Sequence, residues 1–323
     1  MSAKLALVVA LALSQSPRLA PEVEARATAP LAPVPAGVLE WDWLGVGGVR
    51  LRTQSSTLLF DPYVTRAPFH ELLLGRLSPD EALVARLFPA ADVILVGHAH
   101  YDHLGDAPAL AARTGALLLG SPTTCHIARA LESPRCLSPR GPWITDDGVV
   151  ITTFPARHGD APLLELLGGG RELHRPPQAP VHALVDMPHG GPRAFLVELP
   201  LGEGERARVF FHSGAGLDPP SDEVLRSLHV DVAFLGVALS DKTERWPERV
   251  LAVLKPGGTA VLTHFDRSME PLTDELPTSE APAAGKVSSA VPDLPALLLR
   301  MKQARPDVTV LLPRPFARVR IGR

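Results

Sequence analysis

An apolar run that reads as a buried strand, Ala91-Asp92-Val93-Ile94-Leu95-Val96-Gly97, leads straight into His98-Ala99-His100-Tyr101-Asp102-His103. Three imidazoles and one carboxylate thus fall within six residues, where a strand gives way to a loop. If the strand geometry persists, His98 and His100 share a side, because side chains alternate with period two. The chain must then turn to bring Asp102 and His103 into the same space. Neutral imidazole and carboxylate are the ligands that zinc and related divalent cations take. Four such groups crowded together at a strand end call for a cation to organise them.

The rest of the chain is compatible with a large core. It has 323 residues, 46% of them hydrophobic and 21% charged, enough for one sizeable α/β domain. The net charge is −3 and no basic block occurs, so nothing points to a nucleic-acid partner. Proline (34) and glycine (26) are abundant and aromatics are 5%, which predicts many loops and a core of Leu, Val and Ala.

Residues 1–37 read as a separate segment. Met1-Ser2-Ala3-Lys4 precedes an apolar stretch from Leu5 to Leu13 that would cover roughly 14 Å as a helix, against a hydrocarbon layer of roughly 30 Å. An export signal fits better than a membrane span, with cleavage near Ala12-Leu13-Ser14 or Ala25-Arg26-Ala27. The expected location is then periplasmic or extracellular. A mildly apolar tail on a cytoplasmic protein is the alternative. From Ser14 to Gly37 the Pro/Ala-rich composition predicts a linker without fixed structure. Cys125 and Cys136 flank a helix-like run, and the sequence leaves open a disulfide or two core thiols.

Along residues 38–323 the pattern is strands as a meander, then strand–helix alternation, twice over. Val38–Leu44, Val49–Arg52 and Thr57–Phe60 open the first round, and Ser78-Pro79-Asp80-Glu81 carries the signature of a helix start. Val149–Phe154 ends in Pro155-Ala156-Arg157-His158, and Thr259–Thr263 ends in His264. Residues 159–193, with Gly168-Gly169-Gly170, Pro176-Pro177 and His174, His182 and His189, have little periodicity and read as an insertion or lid. The predicted class is α/β: two mixed β-sheets packed face to face with helices outside.

The cluster, His158 and His264 each follow an apolar strand, so all could meet at one end of stacked sheets. Here the sequence resembles the metallo-β-lactamase fold superfamily, whose hallmark is His-x-His-x-Asp-His. Trp43-Leu44-Gly45, Leu59-Phe60-Asp61-Pro62, Phe154-Pro155-Ala156-Arg157-His158 and Leu262-Thr263-His264-Phe265-Asp266 are similar to its recurring segments. The likeness is nearest to the branch of ascorbate-lactone hydrolases and the N-acyl-phosphatidylethanolamine phospholipase D. It implies a four-layer αβ/βα sandwich. It also implies one metal on His98, His100 and His158 and a second on Asp102, His103 and His264. Asp61 would stand behind a ligating imidazole.

One position departs from that pattern. Phe211-His212-Ser213-Gly214-Ala215-Gly216 puts Ala215 where the superfamily has a metal-bridging Asp. The expectation is therefore one firmly held ion, Zn²⁺ first with Mn²⁺ or Fe²⁺ as alternatives, and a weaker or empty second site. His212, Asp160 and Asp218 are candidates to compensate. A three-histidine site leaves a coordination position for water, whose pKa a cation lowers to about 7. The expected activity is metal-dependent hydrolysis, by metal-bound hydroxide, of an ester, lactone, amide or phosphodiester. Asp102 would orient the water or accept its proton, and Tyr101 would shape the pocket of a small-molecule substrate. A non-catalytic metal-binding or sensory module of the same fold is the alternative. A di-iron redox relative would carry a flavin domain for which this length leaves no room.

Overall fold

The computed structural model describes residues 17–322 except 75–77, 134, 159–168, 215–221 and 277–292. Its first strands are β1 (Val38–Gly45), β2 (Gly48–Arg52), β3 (Thr57–Phe60), β4 (Val93–Leu95), β5 (Leu117–Leu119) and β6 (Cys136–Leu137). A second series follows: β7 (Trp143–Ile144), β8 (Val150–Pro155), β9 (Arg193–Gly202), β10 (Glu205–His212), β11 (Val230–Gly236), β12 (Leu254–Thr263) and β13 (Thr309–Leu311). The last strand, β14 (Val319–Gly322), returns to the first series.

These strands form two seven-stranded sheets, in the orders β14-β1-β2-β3-β4-β5-β6 and β13-β12-β11-β10-β9-β8-β7. Each is mixed. In the first, β14, β1, β2 and β3 pair antiparallel and β3 to β6 parallel. In the second, β7 to β10 pair antiparallel and β10 to β13 parallel. The meander-then-alternation pattern read from sequence is therefore present twice.

The parallel strands explain the continuous apolar runs. Val93-Ile94-Leu95 and Leu117-Leu118-Leu119 are buried along their whole length, because such strands are covered on both faces. The sheets meet through aromatic pairs that cross between them. Trp41 of β1 lies edge-on to Phe234 of β11 (5.3 Å between ring centroids), and Phe60 of β3 packs on Phe211 of β10 (4.3 Å).

The helix start read at Ser78-Pro79-Asp80-Glu81 is present. Asp80 caps the helix Glu81–Leu87 by accepting the Leu83 N–H, and Asp293 does the same for Leu294–Ala304 through Ala296. Residues 17–37 do not behave as an unstructured linker. Pro21–Ala27 is a helix with Pro in its first turn, and Val23 and Ala27, four residues apart, are buried. Arg26 ties that helix to the Asp274 carboxylate. The apolar stretch Leu5–Leu13 lies outside the described residues.

Cys125 and Cys136 form a disulfide that joins the helix Pro122–Ala130 to β6. No helix among the described residues is long and apolar enough to cross a membrane.

Candidate metal centre

The candidate residues gather where strands of both sheets end. The first sheet contributes the segment after β4. That strand stops at Leu95, earlier than the sequence suggested, so His98 and His100 stand on a loop. His100 then starts the single helical turn Tyr101–Leu104, which swings Asp102 and His103 back toward the sheet end. The second sheet contributes His158 after β8 and His264 after β12. His264 sits at φ 56°, in the left-handed region, held by its N–H donating to the Val46 carbonyl at 2.6 Å.

Among the described residues, six donors sort into two groups of three: His98, His100 and His158, and Asp102, His103 and His264. Within each group the ligand atoms all lie within 4.8 Å of one another. In the first, the ring centroids of His98, His100 and His158 are each 4.8 Å from the other two. In the second, His103 Nε2 and His264 Nε2 are 3.1 Å apart, and Asp102 carboxylate oxygens lie 3.8 and 3.6 Å from them. His98 and His103, at 3.9 Å between centroids, join the groups.

This arrangement fits divalent cations. Donors bound at about 2.1 Å to one tetrahedral ion stand about 3–4 Å apart, close to the spacing here. His98 Nε2 is buried without a hydrogen-bond partner, a state that a ligated cation would relieve. Burial, then the imidazoles of His103, His158 and His100, push His98 well below its ordinary pKa. Burial and neighbouring imidazoles lower His100 in the same way, and burial brings His103 to about 3. Neutral imidazole is the ligating form, so no proton has to be displaced at neutral pH.

Asp61 orients the second group. It accepts from His103 Nδ1 at 2.8 Å, which turns His103 Nε2 toward His264 and Asp102. Complete burial raises its pKa to about 7, against the pull of the Gly97 N–H (2.7 Å) and the Ser213 hydroxyl. Gly47 and Gly97 make this packing feasible. A Cβ on Gly47 would stand 3.0 Å from Asp61 Oδ2, and one on Gly97 would run into the Ser213 hydroxyl.

Among the described residues, Tyr101 is packed rather than exposed. It is 5% exposed, lies edge-on to Tyr63, and its hydroxyl pairs with Ser268 Oγ at 2.9 Å. It braces the turn carrying Asp102 and His103 against the loop after His264. His212 is buried near His158, with burial lowering its pKa to about 3, and it belongs to neither donor group. Ala215, Asp160 and Asp218 lie outside the described residues.

Several residues were not selected by sequence. Ser213 and the two glycines are visible only once distant segments are packed. His189 stood out merely as one of three histidines in residues 159–193, yet its ring stacks on His158. The one local cue is its setting, Pro188-His189-Gly190-Gly191, which marks a sharp turn.

Comparison with known proteins agrees with the fold. No protein-family profile matches the chain. A UPF0173 metal-dependent hydrolase from Cupriavidus necator is 39% identical over 113 residues, 35% of this chain and 36% of that protein. The chain thus spans about a third of the length of the curated relatives it matches. Among solved structures, the metallo hydrolase Igni18 from Ignicoccus hospitalis superposes over 88% of this chain and 99% of its own, at 15% identity and TM-score 0.53. The metallo-β-lactamase fold protein YhfI from Bacillus subtilis covers 88% of this chain and 100% of its own, at 12% identity and TM-score 0.50. The architecture is the metallo-β-lactamase αβ/βα sandwich. Among its sequence relatives, each matched over part of the chain, are bacterial proteins named metal-dependent hydrolases.

Proposed function

We propose that this chain is a metal-dependent hydrolase of an ester, lactone, amide or phosphodiester. The observation that carries the reading is the pair of three-donor groups, adjoining through His98 and His103, at the ends of strands from both sheets. Three imidazoles favour zinc at the first group, while the carboxylate of the second also suits Mn²⁺ or Fe²⁺. A divalent cation there would supply Lewis acidity, acidifying water and polarising a substrate oxygen.

The protein's own groups divide the remaining work. His98, His100 and His103 are buried, whereas Asp102, His158, His189 and His264 are only partly so, which supports entry of water and substrate from the side of the latter. Asp102 is the acid-base candidate. Its carboxylate stands on that open side next to two imidazoles, where it can orient a water and take its proton. Asp61 holds the proton on His103 Nδ1 and keeps the lone pair of Nε2 directed at the centre. The described part of residues 159–193 is anchored by buried Val181, Leu184 and Met187 and carries His189 to the side of His158, which supports reading it as one wall of the site. The oxidised Cys125–Cys136 pair suits an oxidising compartment, the setting that an export signal at the N-terminus would give it.

Protein stripped by chelator and reloaded with Zn²⁺, Mn²⁺ or Fe²⁺ should be assayed on small esters, lactones, amides and phosphodiesters. The expected result is turnover that returns with metal and vanishes, together with metal content, in His100→Ala. Hydrolysis that persists after complete metal removal excludes the proposal.

A further inference from the structure

His189 stands beside the candidate centre without being among its donors. Its ring lies nearly parallel to that of His158, 6° between planes and 5.2 Å between centroids, and edge-on to His100 at 5.8 Å. The backbone beneath it is held from several directions. Its N–H donates to the Gly169 carbonyl at 3.1 Å, and its carbonyl accepts the N–H of Ala99 at 3.2 Å, the residue between His98 and His100. Gly190 follows at φ 50°, so close to Thr123 that a Cβ would overlap that side chain. Thr123 in turn accepts the Leu173 N–H at 3.0 Å.

The ring itself is turned in a definite way. Its Nε2 and Cε1 lie 2.6 and 2.9 Å from where a Cβ on Gly170 would stand. That edge faces the backbone of its own segment, and what His158 meets is the face of the imidazole. A flat ring pressed on a ligand ring fixes the ligand's orientation without ligating anything.

We infer that His189 is a positioning residue: its ring face holds His158 in the orientation that completes the first donor set, while its carbonyl fixes the peptide between His98 and His100. The inference rests on reading that donor set as a metal centre.

The test is metal binding itself. Zn²⁺ affinity is measured by competition with a chromophoric chelator, and the visible spectrum of bound Co²⁺ reports ligand geometry. His189→Ala and His189→Asn should each weaken binding about 10-fold or more and alter the Co²⁺ spectrum. Asn keeps polar atoms but has no ring face, so wild-type affinity in that variant would assign the effect to hydrogen bonding and overturn the inference. Gly170→Ala, which displaces the ring without removing it, should weaken binding in the same direction, and it serves if a His189 variant fails to fold. In a His158→Ala background, removing His189 should change the residual affinity by less than about 2-fold, since the ring it holds is gone. A second loss of full size there would overturn the inference, as would unchanged affinity in the single variants. Wild-type protein that binds neither Zn²⁺ nor Co²⁺ would remove the metal centre and the inference together. Binding that the variants leave untouched removes only the latter.

Discussion

Gly97 has no room for a methyl group. Its N–H serves Asp61 while its Cα faces the Ser213 hydroxyl, so the residue couples the end of β4 to the end of β10. Gly97→Ala should force Ser213 and Asp61 apart and lower stability by about 1–3 kcal/mol, read from denaturant unfolding. Asp61→Asn probes the same junction more gently. The amide oxygen still accepts a hydrogen bond, but the negative charge that Asp61 can carry behind His103 is lost. Affinity for an ion at Asp102, His103 and His264 should fall about 10-fold in a Zn²⁺ competition titration, with the His98, His100 and His158 group little affected. These residues also show what a sequence can disclose at this scale. His98, His100, Asp102 and His103 were legible because contiguity itself is the signal. Asp61 was legible only through the family resemblance, since by itself an Asp before Pro62 reads as a turn residue. Gly97, Ser213 and His189 were not, because each owes its role to a segment far away in the chain.

At the scale of single elements, period and end signals located the strands and helices that pack on the core. The helix start read at Ser78-Pro79-Asp80-Glu81 is one such case, with Asp80 capping Glu81–Leu87. The segment ahead of β1 was misread, because a Pro- and Ala-rich composition hid two anchors at helical spacing. Pro21 opens the helix, and Val23 and Ala27 dock it. Val23 is fully buried, so Val23→Ala should lower stability by about 1–2 kcal/mol, measured by chemical denaturation; no change would mean the helix is not docked in solution. The Cys125–Cys136 pairing could not be read from spacing alone, since two cysteines flanking a short helix suit a bridge or two thiols equally. The bridge should leave no free thiol in unfolded, unreduced protein. Replacing both cysteines by alanine should cost about 2–3 kcal/mol of stability.

Across the whole molecule, burial of titratable groups ties stability to pH. Burial lowers the pKa of His98, His100, His103 and His212, so below about pH 6.5 the unfolded chain binds protons that the native one refuses. That term weakens the fold as pH falls. Burial raises Asp42, Asp61 and Asp106, which take up protons earlier when folded and act in the opposite sense. Asp61 and Asp106, near 7 and 6 when folded, offset part of the loss, and the balance is a fold that weakens as pH falls from about 6.5 toward 5. Metal-free protein should accordingly melt at a lower temperature at pH 5.5 than at pH 7, and an equal or higher midpoint at pH 5.5 would contradict this accounting.

Neither donor group is supplied by one sheet alone. His98, His100, Asp102 and His103 follow β4, while His158 and His264 follow β8 and β12. The chain passes from one sheet to the other through the exposed stretch around Arg140 and Gly141. A backbone nick there would leave two polypeptides, each with an incomplete set of ligands, and only their reassembly could make either triad whole. Recovery of tight Zn²⁺ binding on mixing the separately produced pieces would thus report, without any substrate, that the halves had found one another in register.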